Sequence, residues 1–313
     1  MGKSLMLSAI ALFTPYMATL GWTGSLAGSR PLPEPVSAVP APGLSSGKTI
    51  ILDREKEVRM DAEQYLIGVI AHQIPADYQI EALKCQAVIA RTYLYSLLDG
   101  KSEAYESELD VDYLEPARME KLWGAEKFDE YYQKLERAVA ETNGIVMMQE
   151  GRYIDGLFCR CSAGRTRPGG ESRPYLASVD CLSDMEAEDY LQVKEWTPDE
   201  FSRRISSIPG ERPVSADQVP GQIQIGERDE AGYVTLVQIG NYQFSGDEVR
   251  YALGLNSSFF RLENAEGNVR AVGKGIGHGY GLSQYDANRK AEDGWTFDEI
   301  LNYFYQNIML VFE

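Results

Sequence analysis

Cysteine and histidine are scarce in this chain of 313 residues, with four of the first and two of the second. Four cysteines are too few to build a disulfide scaffold. Basic residues are also in deficit: 30 Lys and Arg against 47 Asp and Glu leave a formal net charge of -17. That balance excludes a general nucleic-acid or anionic-membrane binding surface, so a polyanionic ligand has to be met by a local cluster of cations. No charged residue occurs between Ser4 and Ser29, and no internal repeat is present.

What is there is a globular composition, 44% hydrophobic, with enough length to bury a sizeable core. The charge-free stretch contains Leu5 to Trp22, apolar enough to enter a bilayer. Residues 1–28 are therefore expected to direct the chain into or across a membrane. Ser25-Leu26-Ala27 offers a small-x-small site for a signal peptidase, while the length suits a retained single-pass anchor. Pro15 at midspan, tolerated in transmembrane helices, favours the anchor. Residues 29–48 carry Pro31, Pro33, Pro35, Pro40 and Pro42 among Ser, Ala and Gly, the composition of an extended stalk. The folded part, 49–313, then lies outside the membrane, with no second linker.

The pattern predicts an α+β domain with antiparallel strands, because strands follow one another directly instead of alternating with crossover helices. A strand is expected from Thr49 to Leu52. Helical spacing of Tyr65, Leu66, Val69 and Ile70 predicts a helix over Asp61 to Gln73, stopped by Pro75. Leu83, Ala87, Ala90 and Leu94 predict a second over Ile80 to Leu98, packed on the first. Ser102 to Pro116 reads as a loop, Lys127 to Thr142 as a helix, and Ile145 to Phe158 as a hairpin. Strands are expected at Gln222 to Ile225 and Tyr233 to Ile239. Three further helices start at capping boxes: Thr197 with Glu200, Ser245 with Glu248, and Thr296 with Glu299.

Cys85, on a helical face, reads as a small buried residue. Cys159, Cys161 and Cys181 fit a disulfide or free thiols better than zinc, since no fourth ligand is near. Gly277-His278-Gly279-Tyr280-Gly281 sets glycines at alternate positions around one of the two histidines. Such a segment fits a loop that a ligand approaches closely and a structural turn alike.

Five stretches taken together carry a resemblance: Tyr65 to Ile70, Glu81 to Tyr93, Ser162 to Thr166, Pro174 to Val179, and Gly277 to Gln284. In this order they resemble the stage II sporulation protein D family, which shares its domain with the amidase enhancer LytB, over roughly Thr49 to the end. The resemblance implies a domain facing the cell wall or the space between forespore and mother cell, acting on peptidoglycan. Its active members are lytic transglycosylases that cut peptide-stripped glycan beside a partner amidase. There a glutamate after Gly-Val-x-x-x protonates the glycosidic oxygen and then serves as base.

Here that position is Gln73, in Gly68-Val69-Ile70-Ala71-His72-Gln73. A primary amide cannot donate the proton, and losing a general acid forfeits about 10²- to 10⁴-fold in rate. The amide can still hydrogen-bond a bridging oxygen. Cleavage and noncatalytic binding, with stimulation of a wall amidase, thus stand as rival readings. His72 points about 100° away from Gln73 on a helix and reads as a surface residue. Glu81, the one acid nearby besides Asp77, is expected to orient Arg91 or cap its helix. The resemblance further implies a groove lined by Arg91, Tyr93, Ser162, Gly164, His278, Gly279, Ser283 and Gln284, with Arg91, Arg165, Arg167 and Lys274 as local positives. For Arg91 a buried ion pair with Glu81 or Asp77 competes with that role. The zinc motif of several family members is replaced here by Leu109-Asp110-Val111-Asp112-Tyr113-Leu114, so no metal and no cofactor is expected.

Overall fold

The computed structural model describes residues 44–53 and 58–313. The expected membrane segment at 1–28, and the proline-rich stretch up to 43, lie outside the described residues. No described helix is long and apolar enough to cross a membrane. The fold has taken hold by Leu44, which is buried, and by Ser46, whose hydroxyl donates to Asp61 at 3.0 Å.

Strands β1 (Thr49–Asp53) and β2 (Val58–Asp61) pair antiparallel, and β3 (Glu103–Tyr105) adds to β1 in parallel. Helix α1 spans Ala62–Gln73 and α2 spans Ile80–Leu98, as the apolar spacing predicts. Asp61 caps α1 by accepting the Glu63 N–H at 2.8 Å, satisfying one of the orphan donors of the first turn. The other end stops because Pro75 drives Ile74 into an extended conformation, φ −135° and ψ 145°. Gln73 is thus the last helical residue, and its carbonyl has no partner within the helix.

Short α3 (Pro116–Trp123) starts on a proline and leads through Gly124 to α4 (Ala125–Glu141). The expected hairpin is β4 (Ile145–Gln149) and β5 (Arg152–Tyr153), with β14 (Met309–Phe312) on the other side of β4. Its second strand is shorter than the sequence suggests. Phe158–Cys159, β6, leaves it to pair in parallel with β13 (Leu282–Ser283).

A second β region follows: β7 (Leu191–Trp196), α5 (Pro198–Ser206), β8 (Ile223–Arg228), β9 (Val234–Ile239), β10 (Tyr242–Ser245), α6 (Gly246–Leu253), β11 (Phe260–Ala265) and β12 (Asn268–Lys274). Its sheets run β10-β9-β8 and β11-β12-β7. Helices α7 (Gln284–Glu292) and α8 (Phe297–Phe304) close the chain before β14. Ser245 and Glu248 exchange both bonds of a capping box at the start of α6.

The result is α+β, and antiparallel apart from the β1–β3 and β6–β13 pairs. Three apolar clusters hold it. One gathers around α1, α2 and α4, one within the second β region, and one between α2, α7 and α8. Helix α2 serves two of them: Leu83, Ala87, Ala90 and Leu94 face the first, while Cys85, Val88 and Ile89 face the third. Burying side chains of this size stabilises by about 1.5–3 kcal/mol each.

Candidate functional site

Gln73 is half-buried where α1 ends, and three glutamine amides meet there. The Gln86 Nε2 donates to Gln73 Oε1 at 2.8 Å. The Gln284 Nε2 donates to the Gln73 carbonyl at 2.8 Å and to Gln86 Oε1 at 3.1 Å. Gln284 thereby satisfies the carbonyl that the helix end leaves open. Gln86 is fully buried on α2 and Gln284 nearly so at the start of α7, so both are fixed by the fold. Among the described residues no carboxylate bonds to Gln73, and its Nε2 donates to none of them. The turn after α1 is tied to α7 as well, since the Gln79 N–H donates to Asn288 Oδ1 at 2.7 Å.

The two loops behind this trio are locked by the β6–β13 pair. At Gly281, φ +68°, an added Cβ would stand 1.7 Å from the Leu157 carbonyl oxygen; at Gly277, φ +117°, 2.6 Å from Cys159 Cβ. These glycines are packing requirements of the loop, whatever else it does. Buried Asp184 joins the loops: Ser162 N–H donates to Oδ2 at 2.6 Å and Ser283 Oγ donates to Oδ1 at 2.7 Å. Burial pushes the Asp184 carboxyl up to about 7, against the pull of those donors.

The His278 Nδ1 accepts the Tyr280 N–H at 3.0 Å, which leaves the ring proton on Nε2. Burial, with the charges of Arg250 and Arg167 acting in the same direction, pushes it down to about 4, so the ring is neutral at pH 7. Arg167 beside it pairs with Asp229 at 2.6 Å and lies over the rings of Tyr233 and Tyr280. Gly279 supplies the carbonyl that accepts the Arg167 N–H at 2.8 Å. Among the described residues nothing bonds His278 to Gln73.

Several expected ligand contacts are corrected by burial. Arg91 is fully buried and bidentate to Glu63, at 2.7 and 2.6 Å, with Tyr95 donating to the same carboxylate at 3.0 Å. Its partner is neither Glu81 nor Asp77, and no substrate reaches it. Glu81 does not orient Arg91: it accepts from Lys84 at 2.6 Å and from the Phe297 N–H at 2.8 Å, fastening α8 to α2. Ser162 and Ser283 have no exposed surface and hold Asp184, so they position the loops instead of touching a ligand. The Gly164 N–H donates to Ser162 Oγ at 3.1 Å in the same cluster. Gln284 also acts through Gln73. Tyr93 is half-buried two turns beyond Gln86, near Asp110 and Asp155.

All four cysteines are buried free thiols, and burial raises each of their pKa values. His72 sits 3.9 Å from Asp112. Of the four cations named as local positives, Arg165 pairs with Asp180 at 3.3 Å, and Lys274 alone has no ion pair among the described residues. Gln86 and Asp184 are the residues of this cluster that sequence reasoning missed. Gln86 was within reach, because it lies in the Ala-Leu-Lys-Cys-Gln-Ala stretch that carries the resemblance.

A family model described as Stage II sporulation protein matches residues 54–149. The chain is 31% identical over 260 residues to Stage II sporulation protein D of Bacillus subtilis (strain 168), covering 79% of this chain and 74% of that protein. Against the protein of that name from Bacillus amyloliquefaciens it is 29% identical over 261 residues, covering 79% and 73%. It is also similar to the Amidase enhancer of Bacillus subtilis (strain 168), 26% identical over 297 residues, 78% of this chain and 40% of that one. The chain belongs to the stage II sporulation protein D family, which the amidase enhancer joins as a more distant relative.

Proposed function

We propose that this is an extracytoplasmic peptidoglycan protein of sporulation, tethered by residues 1–28, which binds peptide-stripped glycan strands beside Gln73 and holds them without cutting. One observation carries this reading: the residue at the proton donor's position is an amide, held between two more amides, with no carboxylate bonded to it. Breaking a glycosidic bond needs a proton on the leaving oxygen, which an amide cannot deliver but can hydrogen-bond. The chemistry left is recognition. The name of one relative, Amidase enhancer, favours a consequence of such binding: presenting the strand to a wall amidase.

The full chain incubated with peptide-stripped strands is expected to co-sediment with them and to release no anhydro-sugar ends. Added to a wall amidase acting on intact peptidoglycan, it is expected to speed stem removal. Release of anhydro ends by the wild-type chain would make it an enzyme after all, and failure to sediment with the strands would remove the glycan reading.

A further inference from the structure

The arginines of α2 and of the stretch 160–173 divide sharply. Arg91 and Arg167 are buried on carboxylates, and Arg165 and Arg173 pair with Asp180 and Asp155. Arg160 is half-buried, and among the described residues its side chain has neither an ion pair nor a hydrogen bond. A shortage of acids is not the reason in a chain with 47 of them.

The place of Arg160 is set by the β6–β13 ladder. Phe158 stands opposite Leu282 and Cys159 opposite Ser283. The Tyr285 N–H extends the ladder by donating to the Arg160 carbonyl at 3.0 Å. That bond holds Arg160 against the start of α7, where Gln284, the residue before Tyr285, reaches the Gln73 carbonyl at 2.8 Å. Tyr78 lies in the turn that follows Gln73, its N–H donating to the Pro75 carbonyl at 3.2 Å. Burial pushes the Tyr78 hydroxyl up to about 12 while the Arg160 charge acts on it in the opposite sense, consistent with a guanidinium beside that hydroxyl. An unpaired cation next to an aromatic ring and an amide has the makeup of a subsite for an anionic sugar.

Resting on the glycan reading above, we propose that Arg160 is the specificity-determining residue of the site: its guanidinium binds the lactyl carboxylate of a muramic residue seated beside Gln73. A carboxylate matches the two-pronged donor face of guanidinium, whereas the neutral amide present while a stem peptide is attached does not. The reaction that supplies this ligand is hydrolysis of the lactyl amide, in which water adds, the C–N bond breaks, and a carboxylate and a free amine result. The site thus takes the product of an amidase.

The test uses the full chain and two polymers, stripped strands and the same strands with their lactyl carboxylates converted to primary amides. Wild type is expected to bind the free-acid strands roughly 10- to 100-fold tighter than the amidated ones. Arg160→Gln should lose that preference by weakening on the acid strands alone, and its unchanged hold on amidated strands shows that the site still folds. Arg160→Lys, which keeps the charge without the fork, should fall between and decides the matter if the glutamine variant does not fold. Wild type without preference, or Arg160→Gln with wild-type preference, overturns the assignment while leaving glycan binding intact. Binding to neither polymer by wild type overturns the glycan reading along with it.

Discussion

Arg91 and Arg160 lie in neighbouring regions of one domain and are used in opposite ways. Arg91 is sealed between α1, α2 and α4, with Glu63 and the carbonyls of Val139 and Ile145 accepting its protons. Arg160 is half-buried just after β6, with no side-chain partner among the described residues. Arg91 falls inside the Glu81 to Tyr93 stretch and is spent on the fold; Arg160 lies just outside the Ser162 to Thr166 stretch and its side chain makes no bond among the described residues. The difference teaches that an arginine inside a family motif can be structure, while one outside it can be specificity.

The largest effect expected from breaking this comparison is on stability. Arg91→Leu leaves Glu63 charged and buried, and should destabilise by about 3–5 kcal/mol in denaturant titrations. Arg160→Gln should stay within about 0.5 kcal/mol of wild type. Gln86→Leu comes next: it strips a partner from both Gln73 and Gln284 and should cost about 1–3 kcal/mol, with weaker retention on glycan.

The smallest effect is in the pH dependence of stability, where buried Asp184 and half-buried His278 act against each other. The Asp184 carboxyl is raised from an ordinary value of 3.8 to about 7, so its stabilising share is full below 3.8 and is lost as pH rises toward 7. His278 is lowered from 6.5 to about 4, so its share is present above 6.5 and is lost as pH falls toward 4. Between pH 4 and 6.5 the two slopes have opposite sign. Asp184→Asn should therefore steepen the gain in stability with rising pH in chemical denaturation series, and His278→Gln should reverse the change. Identical slopes in all three proteins would count against the placement of both groups.

Helices α1 and α2 were legible because Asp61 and Pro75 punctuate them and their apolar residues fall at helical spacing. Helix α7 was not, since its buried residues include Gln284, Asp286 and Asn288, which leave no apolar stripe to read. Strand β6 was merged into the preceding hairpin because two residues carry too little pattern, and its partner lies far along the chain. Of the site, Gln73 and Gln284 were both picked out and do meet. Arg91, Ser162 and Ser283 were also picked out, yet nothing in a sequence separates a buried polar residue that holds a loop from one that touches a ligand. Arg160 was hidden for a related reason: its neighbours are set by register between β6 and β13, and by the turn at Tyr78.

The central claim is that a working site lacks only its proton donor, and Gln73→Glu tests it most directly. Glutamate fits the same space, with one oxygen accepting from Gln86 and the other taking the place of the amide nitrogen. Release of anhydro ends from peptide-stripped glycan, absent in wild type, is expected to appear in the variant, recovering the roughly 10²- to 10⁴-fold in rate that a general acid supplies. No rise in a variant that folds and still binds the strands would contradict the account.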